Sequence, residues 1–267
     1  MRLQNKVVLV TGSTAGIGRA IAKRCVEEGA RVVIHGLEHD LATELVGELG
    51  SDRAIAHIED LANEGCPEHL TTLAVEHFGR LDAVVNNAAL ILSGDIHTTD
   101  ADLFHRIISV NTLAPLLLIK AALPHLQAVR GCVLNIGSVN AWCGEPNLLP
   151  YSISKGALST LTRNLGDSLM QQAGVRVNQI NPGWVLTGNE AARKQAQGLP
   201  ENWPASLPKT HAPSGRLLTP QEIASAAIVW LSDEIGPVSG QICELEQYPL
   251  LGRNAPKDLA EPTHPSR

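Results

Sequence analysis

The sequence predicts a doubly wound parallel sheet with helices on both faces, a three-layer α/β/α single domain. Three observations predict it. Short aliphatic runs alternate with stretches of helical periodicity. The first run passes directly into a glycine-rich turn and a helix. Later runs end in Asn86-Asn87-Ala88-Ala89, Asn135-Ile136-Gly137-Ser138 and Asn181-Pro182-Gly183, where strands would stop.

Lys6–Val10 (KVVLV) has the continuous apolar character of a buried parallel strand. Thr11–Gly18 (TGSTAGIG) follows, and Ile17, Ala20, Ile21 and Cys25 then recur at helical spacing. In such a strand–turn–helix unit the glycines admit a close ligand, and the free N–H groups and dipole of the helix N-terminus suit a pyrophosphate. Arg31–His35 is the second strand, 40–49 a helix, 54–58 the third strand, 64–78 a helix and 81–85 the fourth strand. A long helical pattern, 100–126, contains Asn111 and an internal Pro115 expected to kink it. The fifth strand ends at Asn135, and a helix with Leu158, Leu161, Leu165 and Leu169 on one stripe follows Lys155. Residues 175–180 form the sixth strand, 184–216 a proline-rich lid, and 241–245 the last strand. Thr219-Pro220-Gln221-Glu222 opens a helix with an N-cap and a first-turn proline. The domain is expected to span 1–255, with 256–267 a mobile tail.

Composition narrows the function. A net charge of −6 argues against a nucleic-acid or anionic-membrane surface. No apolar run approaches the roughly 18 residues a membrane helix needs. The five cysteines are dispersed without a CxxC pair, as reduced thiols of a cytoplasmic protein would be. His35 and His39 have HxxxH spacing but no third ligand, so no metal is expected.

Tyr151 and Lys155 lie four apart on a predicted helix, hence on one face about 5–6 Å apart. With Ser138 at a strand end they make a proton-handling set. A phenol of pKa near 10 needs a neighbouring cation to act near neutral pH, and Lys155 is expected to lower the Tyr151 pKa.

TGSTAGIG, the NNAA after the fourth strand, Asn111, Ser138, YSISK (151–155) and Asn181-Pro182-Gly183 together resemble the short-chain dehydrogenase/reductase superfamily, in its single-domain branch. The resemblance runs from about Lys6 to Leu245. It implies a Rossmann-like nicotinamide-dependent oxidoreductase acting on a secondary alcohol or carbonyl. Tyr151 would be its acid–base, Ser138 would orient the substrate oxygen, Lys155 would bind the nicotinamide ribose and tune Tyr151, and Asn111 would anchor a water in a proton relay. Gly12, Ser13, Gly16, Ile17 and Gly18 would hold the pyrophosphate, and Leu37, Glu38, Asp60, Leu61, Asn87 and Ala88 the adenosine side. Pro182, Gly183, Val185 and Thr187 would face the nicotinamide. Neither Ala15 nor Leu37 is the Arg or Lys that would pair with a 2′-phosphate. NAD is therefore expected over NADP, with Glu38 a ribose contact.

Two departures from the family stand out. Ala89 replaces a glycine, and Glu244-Leu245-Glu246-Gln247-Tyr248-Pro249 replaces an Asp-Gly-Gly. The altered C-terminus is expected to change subunit contacts and to reach toward a neighbour's active site. Relatives form homo-oligomers, so a dimer or tetramer is expected; the Leu158–Leu169 stripe either serves its face or packs on the sheet, as part of it must.

Asn140, Trp142, Glu145 and Trp184 are the expected substrate residues. They point to a small polar substrate, a sugar, polyol or hydroxy acid stacked on an aromatic. Alternatively, the tryptophans pack the lid against the sheet. A non-catalytic NAD(P)-binding sensor or scaffold is the alternative function on the same fold; an epimerase or dehydratase would be longer.

Overall fold

The structure, a computed structural model, describes residues 1–250. The expected tail, 256–267, and the end of the expected domain, 251–255, lie outside the described residues.

Seven parallel strands form one sheet: β1 (Val7–Val10), β2 (Arg31–Gly36), β3 (Ala54–Ile58), β4 (Ala83–Asn86), β5 (Cys132–Ile136), β6 (Arg176–Pro182) and β7 (Ile242–Leu245), in the order β3-β2-β1-β4-β5-β6-β7. Register pairs Val8 with Val32 on one side and Ala83 on the other. The order reverses between β1 and β4, leaving a crevice beyond their carboxyl ends, where open α/β sheets bind ligands.

Alternate strand residues feed two cores. Val8, Val10, Val32 and Ile34 face α1 (Gly16–Glu27), α2 (His39–Leu49) and α9 (Pro220–Leu231). Val7, Leu9, Val33 and Val84 face α3 (Cys66–Phe78), α5 (Ala114–Val129) and α7 (Leu149–Ala173). The remaining helices are α4 (Ala101–Ile108), the short α6 (Asn140–Cys143) and α8 (Gly188–Ala196).

The expected 100–126 helix is broken. A π-helical turn, Ser109–Leu113, separates α4 from α5, and Pro115 sits in the first turn of α5. Proline has no N–H to close the α-helical bond four residues back, so the ladder widens here. By length and composition the 101–129 run could cross a membrane, contrary to the expectation of no such run. In the fold its Leu118, Ile119, Ala122 and Leu126 are buried against α3 and the sheet.

Of the two places expected for the leucine stripe, the structure shows packing on the sheet side. Leu158 and Leu169 are buried, and Leu161 and Leu165 pack on the second core. The exposed apolar residues nearby are Leu113, Leu116, Leu117 and Ile153.

The lid is not irregular. Thr187 caps α8, accepting from Glu190 N, and a 3₁₀ turn spans Trp203–Ser206. Trp203, Ala212 and Leu217 make a small core of their own, and a Val185–Leu218 bridge ties the lid's two ends. After it, Thr219 and Glu222 form a reciprocal capping box on α9. Replacing Thr219 by Ala should cost about 1 kcal/mol in urea unfolding, because the Glu222 N–H loses its partner; an unchanged midpoint would show that the hydroxyl cap contributes nothing.

Candidate active site

A cavity of about 790 Å³ runs over the carboxyl ends of the central strands, from the glycine turn to the lid. Its floor is the turn after β1. Gly12 (φ 60°) and Gly16 (φ 56°) take left-handed backbone, and a Cβ on Gly18 would lie 2.3 Å from the Gly12 carbonyl oxygen. Ala15 precedes α1 without a side-chain cap, so no side chain occupies the helix's first N–H groups. Gly12, Gly16 and Ile17 line the cavity; Ser13 and Gly18 do not. The Ser13 hydroxyl instead donates to Val10 O at 2.7 Å, and Gly18 lets α1 close on the turn.

Two residues brace the turn from outside it. Asn87, on the cavity wall, donates to the carbonyls of Thr11 and Gly12 at 2.9 Å each. The buried His35 accepts from Gly12 N at 3.3 Å through Nδ1, and its Nε2 donates to Glu59 O at 3.0 Å. Burial pushes the His35 pKa down to about 4, so the ring stays neutral with its proton on Nε2. His35 is thus a buried support of the glycine turn.

At the adenosine end Leu37, Glu38, Asp60, Leu61 and Ala88 line the wall. Glu38 accepts from the Thr14 hydroxyl at 2.7 Å, which ties the end of β2 to the turn. Asp60 is ion-paired to Arg106, which holds its carboxyl below the usual range. The Arg106 pairing was not expected from the sequence.

Ser138, Tyr151 and Lys155 converge at the other end and all face the cavity. Tyr151 and Lys155 sit one turn apart near the start of α7, and Ser138 follows β5. A buried amide chain holds this corner: Asn86 donates to Asn135 (2.8 Å), Asn135 to Thr162 (2.8 Å) and Gln179 to Asn181 (2.7 Å), and Asn181 Oδ1 accepts from Ser138 N (3.0 Å). The Ser138 hydroxyl accepts from Asn140 N at 3.1 Å and hydrogen-bonds the Tyr151 phenol.

Burial dominates the proton energetics of the ligand-free site. Burial pushes the Tyr151 pKa up to about 12, against the Ser138 hydrogen bond and the Arg193 charge, which lower it. The Lys155 ammonium lies 5.7 Å from the Tyr151 ring centroid and donates to Ile136 O at 2.8 Å. Burial pushes its own pKa down to about 8. Desolvation therefore outweighs the Ser138 hydrogen bond and the Arg193 charge at the phenol.

Asn111 does not reach the cavity. Its Oδ1 accepts from Leu90 N (2.7 Å) and its Nδ2 donates to Leu90 O and Ser154 Oγ (3.0 Å each). Ser154 in turn donates to Tyr151 O at 2.6 Å. No amide hydrogen is left for the expected water, so the side chain clasps the loop after β4 to the helix carrying Tyr151.

On the substrate side Asn140, Glu145 and Trp184 line the cavity, but Trp142 does not. The Trp142 ring packs under Arg163 (5.2 Å) and its indole N–H donates to Glu244, because α6 turns it toward β7. Trp184 is stacked on Trp203 at 5.3 Å, with the Lys194 ammonium 5.3 Å over its ring. The expected aromatic platform is thus taken up in packing the lid. Pro182, Gly183, Val185 and Thr187 line the nearby wall.

The segment after β7 reaches this chain's own site. Glu246 and Tyr248 line the cavity. Glu246 accepts from Trp184 N at 3.1 Å, and Gln247 bonds Ser214 (2.7 Å) and Arg216 O (2.7 Å), strapping the lid. The signal for this was the loss of the family's Asp-Gly-Gly.

The cavity fits a dinucleotide. Its glycine turn would be closed by a Cβ, and the buried Lys155 ammonium has three hydrogens but a single protein acceptor among the described residues. The sequence model of a family described as enoyl-(acyl carrier protein) reductase matches residues 12–246. The chain belongs to the short-chain dehydrogenase/reductase family. Among relatives of this dehydrogenase/reductase, 2-(S)-hydroxypropyl-CoM dehydrogenase 3 of Xanthobacter autotrophicus is 36% identical over 90% of this chain and 94% of its own. Meso-2,3-butanediol dehydrogenase of Serratia marcescens is 30% identical over 90% and 92%. A crystal structure of 3-ketoacyl-(acyl-carrier-protein) reductase from Brucella melitensis complexed with NADH superposes with a TM-score of 0.80 at 29% identity, covering 91% of this chain and 97% of that one. This short-chain dehydrogenase/reductase is an NAD(P)-dependent oxidoreductase of CH–OH groups, moving a hydride between a nicotinamide and an alcohol or carbonyl carbon.

Gly183 gives one test of the strap. A Cβ there would lie 2.0 Å from a Glu246 carboxylate oxygen. Gly183→Ala should displace Glu246 and speed limited proteolysis within 184–216 several-fold while far-UV circular dichroism is unchanged. Proteolysis at the wild-type rate would mean that Glu246 does not hold the lid.

Proposed function

We propose that this enzyme prefers NAD and reduces or oxidises a small polar substrate, with Tyr151 as the acid–base. The observation that carries the reading is the convergence of Ser138, Tyr151 and Lys155 on a cavity continuous with the glycine turn. The nicotinamide dinucleotide, when bound, supplies the hydride acceptor or donor. Gly12, Gly16 and the N-terminus of α1 would hold its pyrophosphate, and Asp60, Leu61, Asn87 and Ala88 its adenosine side. Thr187, Val185, Pro182 and Gly183 would face the nicotinamide.

The chain's own residues do the rest. As the phenol, Tyr151 donates its proton to a carbonyl oxygen; in the other direction it acts as the phenolate, after losing that proton, and takes the proton of the alcohol. Ser138 orients that oxygen. Lys155 has two hydrogens left for ribose hydroxyls.

Charge at the end of β2 supports NAD. Leu37 is 60% exposed where a 2′-phosphate would need a cation, and Glu38 presents a carboxylate beside it. Polar groups support a hydrogen-bonding substrate. Asn140, Glu145, Glu190 and His211 line the far end of the cavity, so recognition runs through hydrogen bonds rather than ring stacking. Exposed Leu113, Leu116, Leu117 and Ile153 on neighbouring helices support a homo-oligomer paired across that face. Five free thiols, three of them buried, agree with a reducing, cytoplasmic setting.

A panel of secondary alcohols and carbonyls, followed by nicotinamide absorbance, tests the substrate reading; lipophilic ketones outperforming polyols and sugars a hundredfold would overturn it. Tyr151→Phe should retain NADH binding by fluorescence and lower kcat by about 100-fold or more. Leu37→Arg should raise the NADPH-to-NADH ratio of kcat/KM about tenfold or more, since a charge-assisted hydrogen bond is worth about 1.5–3 kcal/mol; an unmoved ratio would place cofactor choice elsewhere.

A further inference from the structure

We propose that His57, Glu59 and His69 form a zinc site at the carboxyl end of β3, outside the catalytic cavity. Among the described residues these three form a group with one ligand atom each, all within 4.8 Å of one another. They come from three places in the chain. His57 lies on β3, Glu59 just beyond it on the same side, and His69 on the first turn of α3.

The geometry is convergent rather than merely clustered. One oxygen, Glu59 Oε2, lies 2.8 Å from His57 Nε2 and 3.1 Å from His69 Nδ1. Zinc bonds of about 2.0–2.1 Å in a tetrahedral set put neighbouring ligand atoms about 3.3 Å apart. Two of the three edges are therefore within about half an ångström of a zinc-bound arrangement. Small rotations of the two rings would open them onto a shared ion. Two imidazoles and a carboxylate with one open position is a donor set that zinc accepts. The His69 side chain is 58% exposed, so water reaches that fourth position.

The carboxylate is also held from behind. Asn63 and the Cys66 thiol both hydrogen-bond the Glu59 side chain, and outer partners of this kind fix a ligand's orientation. The main chain of Glu59 is fixed as well, its N–H on Gly36 O and its carbonyl on the His35 ring. A zinc ion here would clip β3 to α3 one residue from Asp60, at the adenosine end of the cavity, without touching the reacting groups.

Metal-stripped protein lacking an affinity tag, titrated with zinc against a chromophoric chelator, tests the site directly. One zinc per chain should bind, and His69→Ala and His57→Gln should each weaken it about tenfold or more. Zinc at a hundredfold excess over the wild-type Kd should raise the wild-type Tm by about 5 °C and that of a tenfold-weakened variant by no more than about half as much. Glu59→Gln, which keeps the shape of the side chain, serves as a third variant if His57→Gln folds poorly. Failure of the wild type to compete with the chelator, or equally tight binding by His69→Ala and Glu59→Gln, would overturn the proposal.

Discussion

The buried ammonium of Lys155 is the constraint around which this molecule is arranged. It is 2% exposed and has one protein acceptor, Ile136 O. A cation taken out of water this far is costly unless its remaining hydrogens are met. Ile136 ends β5, and Lys155 lies one helical turn from Tyr151, so the fold holds the ammonium at the wall of the cavity with two hydrogens to spare. Hydroxyl groups of a ligand in that cavity would meet those two hydrogens. The same desolvation raises the Tyr151 pKa, so one physical cause acts on both members of the pair.

The surrounding architecture serves this corner. The doubly wound order places the end of β1, with its glycine turn, beside the ends of β4, β5 and β6, which deliver Asn87, Ser138 and Pro182. A buried amide chain from Asn86 to Asn181 locks those strand ends in register. Asn111 ties the loop after β4 to the first turn of α7. These groups act on position: they decide where the phenol and the ammonium stand without meeting a ligand themselves.

Legibility followed the distance over which a residue's role is decided. The glycine turn and the Tyr151–Lys155 pair were readable because each is a local pattern, a positive-φ turn or one helical repeat. Strands were readable because those buried on both faces are continuously apolar. What the sequence hid was set by contacts far along the chain. His35 looked like half of a weak metal motif, yet it braces Gly12, 23 residues earlier. Trp142 looked like a substrate wall, yet Glu244, 102 residues away, turns it aside. Glu246 showed only as a departure from a family pattern, and its place against Gly183 needs the β6–β7 pairing to be known. The burial that raises the Tyr151 pKa was also hidden, because charge proximity can be read from spacing whereas depth of burial cannot.

The most direct measurement is the ionisation of Lys155 in the ligand-free protein, followed by NMR of side-chain-labelled lysine and assigned by its loss in Lys155→Met. The ammonium should titrate near 8, well apart from the other lysines. Titration near 10.5, with the bulk of the lysines, would mean that the group is solvated, and the buried pair that organises this site would not exist.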